Sequence, residues 1–220
     1  VKEFINYRER ISITQEFQPS PKEIELYESV LEYLRRDDTY AFPLAQKHLM
    51  QSVIFKLLGS SSFAVGRTLE ALIRRLEKLL ENSKVVDDEL YEMFLEEYEN
   101  LDDEIDETEE DGDEEINEIT FEDKIAIEDE IKQLQSFLLL ANSIEHNEKG
   151  EKLIMALDTG FKKLEELGAN KKALIFTEST RTQKYLFDRL SQEKYAGRIL
   201  LFNGSNNDDV SKEIYQTWKE

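Results

Sequence analysis

Apolar residues recur along most of this chain at three- and four-residue steps, the spacing of helices that bury one face. Ser20-Pro21-Lys22-Glu23 reads as a capping box with proline at the first helical position, and Ile24, Tyr27, Val30, Leu31 and Leu34 then share a face. A second helix is expected over about 43–58, with Leu49, Val53 and Leu57 as its stripe and Gly59 as its stop. Ser60, Ser61 and Ser62 open a longer helix carrying Leu69, Leu72, Ile73, Leu76, Leu79 and Leu80. Arg67, Arg74, Arg75 and Lys78 decorate its other sides; Glu70 and Glu77 lie within helical pairing distance, so the simplest account is a solvated face laced with ion pairs rather than a ridge toward a ligand. A further amphipathic piece holds Leu90, Phe94 and Tyr98.

Helical order resumes at Thr120, which with Asp123 can cap a helix bearing Ile127, Ile131, Leu134, Leu138 and Ala141. A last connecting helix holds Leu153, Leu157, Phe161, Leu164 and Leu167 and ends at Gly168. Beyond it the pattern changes. Lys171 and Lys172 precede the apolar run 173–176, and Thr177-Glu178-Ser179-Thr180-Arg181-Thr182 leads into a helical pattern with Tyr185, Leu186 and Leu190. Gly197 and Arg198 precede a second apolar run, 199–202, then Asn203-Gly204-Ser205 and a helix with Ile214 and Trp218. Strands joined through a helix are parallel, and a right-handed crossover puts their carboxyl ends on one edge, so 177–181 and 203–205 are expected to be neighbours. At the other end Ile11 and Ile13 alternate in an extended segment, with Arg8 and Arg10 as surface residues of an edge strand. The helices differ in length, cap and stripe, which excludes an internal repeat. The expected fold class is mainly α, with an α/β C-terminal part that begins a parallel sheet.

Charge changes this picture more than size does. The 220 residues are 40% apolar and 35% charged, a globular and helix-rich composition. The net charge of −21 argues against nucleic-acid binding until it is located. Residues 87–130 hold 24 Asp and Glu against the single base Lys124, and the remaining 25 acids and 27 bases leave a near-neutral surface of +2. The acidic stretch 101–117 is expected to be a mobile loop, and the rest of the surface is left able to carry a local basic edge. No cysteine is present, which excludes a disulfide framework and thiolate chemistry and fits a reducing, cytoplasmic setting. No apolar run approaches the ~18 residues of a membrane span, and no membrane partner is expected.

The candidate site is the edge at Thr177, Ser179, Thr180, Arg181 and Thr182. Short hydroxyls and amides at a helix start, with one guanidinium, suit a nucleic-acid phosphate; the plainer account of Ser179 or Thr180 is an N-cap worth about 1 kcal/mol. Asn203, Gly204 and Ser205 carry the same two readings, a close backbone approach to phosphate or a strand-to-helix turn. His48 and His146 are too far apart and too unaccompanied for a metal site, and Asp111-Gly112-Asp113 is only a fragment of a calcium loop. The sequence has neither a G-x-x-x-x-G-K-[ST] loop nor an Asp-Glu-x-His box, and no residue is assigned a catalytic role.

These residues carry a resemblance. Residues 171–190 resemble the strand and helix that begin the second RecA-like lobe of superfamily 2 helicases, their motif IV, and Leu201-Phe202-Asn203-Gly204-Ser205 through Trp218 resembles the segment that follows in Swi/Snf-type ATPases. Glu25-Leu26-Tyr27 through Tyr33-Leu34, and Leu57-Leu58-Gly59-Ser60-Ser61-Ser62-Phe63-Ala64, are similar to the region joining the lobes in bacterial, RapA-like members. The resemblance implies a helical inter-lobe region over 1–168 with the acidic insertion at about 101–117, and the truncated start of a lobe over 169–220. It further implies a parent that couples ATP hydrolysis to movement along double-stranded DNA or to remodelling of a protein–nucleic-acid complex. ATP and magnesium would be bound elsewhere in that parent, with no cofactor in this part, and its first RecA-like lobe would be a partner. Nucleic-acid contact is implied for Thr177, Ser179, Thr180, Arg181, Thr182, Asn203, Gly204 and Ser205. Val1 in place of a methionine agrees with a fragment, expected to be inactive alone. The competing expectation is a helical protein-interaction module whose acidic loop binds a basic partner. Under the motor reading the loop is most simply a solvated insert between helices, the alternative being that it mimics DNA and inhibits the motor.

Overall fold

The computed structural model describes residues 12, 14–43, 46–81, 94, 119–145, 147–177, 179–203, 212, 213 and 216. Within them the chain is mainly helical: α1 (Pro21–Leu34), α2 (Lys47–Ser60), α3 (Ser62–Leu80), α4 (Phe121–Asn142), α5 (Glu148–Glu166) and α6 (Thr180–Ser191). None of these helices is long and apolar enough to cross a membrane.

Local chemistry sets most of their ends. Ser20 Oγ accepts the Glu23 amide at 3.3 Å while Glu23 Oε2 accepts the Ser20 amide at 2.7 Å, which closes the capping box of α1. Thr120 and Asp123 do the same for α4. α2 passes through Gly59 rather than stopping there. Its stop is Ser61, whose extended backbone ends one helix and whose hydroxyl caps the next by accepting the Ala64 amide at 3.2 Å. α5 ends at Gly168 as expected: with φ at 64°, its amide reaches the Glu165 carbonyl and the Ala169 amide reaches the Leu164 carbonyl, the paired bonds of a Schellman cap.

The core lies where α3 and α4 pack, with α1 and α2 closing over them. Leu69, Leu72, Ile73 and Leu76 of α3 meet a layer containing Ile127, Ile131, Leu134 and Phe137 of α4, and each such side chain stabilises the fold by roughly 1.5–3 kcal/mol when fully buried. Met50, Val53, Ile54 and Leu57 of α2 join them, as does Phe94. α1 is rotated from its expected face: Leu26, Val30, Tyr33 and Leu34 are buried while Ile24 is 44% exposed. The buried face also carries a polar contact that hydrophobic periodicity does not see. Glu130, buried on α4, accepts the Tyr33 hydroxyl at 2.6 Å and the amides of Tyr40 and Ala41 at 2.8 and 3.1 Å. Arg75, also buried, donates to the Tyr40 carbonyl. Burial, then the charge and hydrogen bond of Glu130, push the Tyr33 hydroxyl far above the ordinary phenol range.

The C-terminal part departs from expectation. Runs 173–176 and 199–202 are not helical, but among the described residues no strand forms and no backbone hydrogen bond joins them. Their side chains stand in solvent, Leu174 at 86% and Phe176 at 90% exposure. The physical reason is that two short strands without a covering layer bury too little to offset the ordering of their backbone. The expectations for Arg8, Arg10, Ile11, Ile13, Leu90, Tyr98, His146, the acidic stretch 101–117, Gly204, Ser205, Ile214 and Trp218 lie outside the described residues.

Candidate nucleic-acid interface

Two halves of different chemistry meet around the start of α6. The α1–α4 bundle has the apolar core. In the stretch 147–203, Leu190 is the one buried large apolar side chain among the described residues, and the stripe of α5 is only half-buried. The seam between the halves is accordingly polar. Glu23 Oε1 accepts from Asn147 Nδ2 at 3.0 Å and from the Glu148 amide at 3.1 Å, and Lys149 Nζ donates to the Gly59 carbonyl at 3.3 Å. Ser60 and Thr182 share a hydroxyl–hydroxyl bond of 2.7 Å.

This seam absorbs much of the predicted edge. Ser179 is buried and caps α6, its Oγ accepting the amides of Arg181 and Thr182 at 3.2 and 3.5 Å, so the plainer account of that residue is realised. Thr182 is buried against Ser60. Arg181 turns inward: one guanidinium nitrogen donates to the Ala64 carbonyl at 3.0 Å and to Thr68 Oγ1 at 2.7 Å. Thr177 leans on the Ser179 backbone, and Thr180 is partly exposed at the helix start. Asn203 lies beside α6, its Nδ2 donating to Gln183 Oε1 at 3.1 Å, and Gln183 in turn donates to the Phe202 carbonyl at 2.9 Å. Gln183 thus links the second apolar run to α6, a role that carried no sequence signal.

Beside the seam an open groove of about 420 Å³ runs between the start of α3 and α6. Phe63 and Tyr185 stack in it, with centroids 4.4 Å apart and planes 17° from parallel. Arg67, Arg181 and Lys184 line it, opposed by the carboxylates of Glu145 and Asp188. Arg189 also lines it, but is bound bidentately by Glu151 at 2.6 and 2.9 Å and reaches Glu193 at 2.7 Å; these bonds raise its already high pKa further. Arg67 and Lys184 are exposed and have no hydrogen bond or ion pair among the described residues. The ion-paired face expected on α3 is also absent among those residues: Glu70 and Glu77 close no bridge, Arg74 meets the Glu70 backbone carbonyl, and Arg75 belongs to the core. From 169 to 203 the sequence holds seven Lys and Arg against three acids, a basic local balance within a strongly acidic chain.

Farther along, Asp158 accepts from Lys194 at 2.6 Å and from the Tyr195 hydroxyl at 2.5 Å. Those contacts hold its carboxyl below the usual range, while burial and the same bond push the Tyr195 hydroxyl up to about 12. Gly150 fixes the other wall of the seam. A Cβ there would lie 2.9 Å from the Tyr185 hydroxyl oxygen and 3.1 Å from its ring, with Phe63 behind the ring. Gly150→Ala is therefore expected to lose about 1–2 kcal/mol in urea unfolding, overpacking exceeding the gain in helix propensity. In a Tyr185→Ala background the same change is expected to be neutral or stabilising; equal effects in both backgrounds would show that the two side chains do not collide.

No protein-family model matches the chain, and neither the curated proteins nor the solved structures contain a match.

Proposed function

We propose that this chain supplies the inter-lobe helical region and the start of the second RecA-like lobe of an ATP-dependent DNA translocase of the bacterial Swi/Snf, RapA-like type. The observation that carries the reading is the unit 171–203, in which an apolar run precedes a Ser179-capped helix and a second apolar run follows it, tied to that helix through Gln183. With further strands beside them, 173–176 and 199–202 would pair in parallel and bury Leu174, Phe176, Leu200 and Phe202, all now in solvent. In this reading the edge from Thr177 to Thr182, with Asn203 to Ser205, lies along the backbone of double-stranded DNA in the cytoplasm. In this reading ATP and magnesium would be bound by other parts of the parent, since the sequence has no P-loop. The test is anisotropy with a short labelled DNA duplex across a salt series. Arg181→Ala is expected to weaken binding several-fold, with circular dichroism confirming that the helices persist; unchanged affinity counts against the phosphate role.

The self-contained core of α1–α4 favours a second reading, a helical module whose acidic stretch binds a basic partner. Binding of a polylysine peptide that is lost on deleting 101–117, with no DNA binding by the intact chain, would select it.

A further inference from the structure

Arg181, the cation expected to meet phosphate, is held against α3 by the Ala64 carbonyl and the Thr68 hydroxyl, while two cations with no hydrogen bond or ion pair among the described residues, Arg67 and Lys184, stand in the groove that its side chain also lines. We propose that this groove is a phosphodiester site of the nucleic acid, with Arg67 and Lys184 on its walls, and that the bonds from Arg181 to α3 are a latch that an entering phosphate competes away. The inference rests on the nucleic-acid reading above and goes beyond it by moving the contact from the α6 edge into the groove and adding the side chain of α3.

The chemistry favours an anion of this class. Ser179 already takes the amides of Arg181 and Thr182, so the start of α6 has little left to offer a phosphate, and the binding energy must come from side-chain cations. Arg67 and Lys184 line the same groove as the stacked Phe63 and Tyr185 rings. Glu145 and Asp188 offset the charges of Arg67 and Lys184, so the positive excess of the groove is the charge of Arg181, whose side chain also lines it. Two of the acceptors that hold Arg181, the Ala64 carbonyl and the Thr68 hydroxyl, are uncharged. A phosphate oxygen is a stronger partner for a guanidinium than either of these two. Release of Arg181 also removes a tie between α6 and α3, which couples phosphate entry to loosening of the seam.

The experiment uses the full chain and a short fluorescein-labelled DNA duplex, read by anisotropy across a salt series. Arg67→Gln and Lys184→Gln are each expected to weaken binding several-fold and to lower the salt slope by about 1. Thr68→Val, which takes one acceptor from the latch, is expected to tighten binding by on the order of tenfold, the equivalent of one charge-assisted hydrogen bond. Thermal melts confirm that Thr68→Val is folded, and the Lys184→Gln arm stands by itself because that side chain holds nothing else in place. Unchanged affinity in Arg67→Gln or Lys184→Gln, or a folded Thr68→Val protein that binds no more tightly, overturns the groove and its latch. If Arg181→Ala still weakens binding in that case, the nucleic-acid reading survives without them. A wild-type chain that binds no duplex at any salt concentration fails at the earlier step.

Discussion

Replacing Glu130 with alanine is expected to cost about 3–5 kcal/mol of folding stability, measured by urea unfolding followed by circular dichroism, because it strips three donors, two of them buried, of one acceptor. The carboxylate takes the Tyr33 hydroxyl and the amides of Tyr40 and Ala41, and these donors belong to α1 and to the turn that leads toward α2. With the carboxylate gone, none of the three has a nearby replacement except water, which must enter between α1 and α4 to reach them. Glu130→Gln keeps an acceptor of the same shape and is expected to lose less than the alanine variant. Glu128→Ala, two residues away and exposed, is the control and is expected to stay within about 0.5 kcal/mol of the parent. A Glu130→Ala protein as stable as that control would mean that the network is incidental to the fold.

Leu134→Ala is expected to lose about 3–5 kcal/mol, whereas Phe176→Ser, though it removes a larger apolar group, is expected to change stability by less than about 0.5 kcal/mol. Leu134 is wholly buried at the centre of the α3–α4 layer, so truncation leaves a cavity that rigid helices cannot collapse into. Phe176 is 90% exposed, and its loss forfeits almost no contact. The ratio of the two effects is the informative quantity. A large loss from Phe176→Ser would mean that 173–176 is packed in solution, against a partner strand or a covering layer.

The helices were legible because each carries its own boundary chemistry. Ser20 with Glu23, Thr120 with Asp123, and Gly168 are local signals, and their bonds form within a few residues of chain. What periodicity could not give is polar burial. Glu130 sits in an acidic run where solvation is the natural expectation, yet its partners come from about 90 residues away; the buried face of α1 is a second helical stripe, Leu26, Val30, Tyr33 and Leu34, on which Tyr33 also meets Glu130. Arg75 was grouped with Arg67, Arg74 and Lys78 by spacing alone, but one step around the helix separates solvent from core. At the edge, Ser179 was readable as a cap. The engagement of Arg181 with Thr68 was not, because it depends on how α6 lies across α3. The parallel pairing of 173–176 and 199–202 was inferred from connectivity, which specifies direction but supplies none of the burial that holds strands together.

The seam has a thermodynamic corollary. Since α5 and α6 contribute hardly any apolar burial and attach through hydrogen bonds and one ring stack, heating should release them as a separate cooperative unit before the α1–α4 bundle melts. Amide exchange would then divide in two, with protons of α6 escaping through a shallow opening and those of α3 and α4 only through complete unfolding.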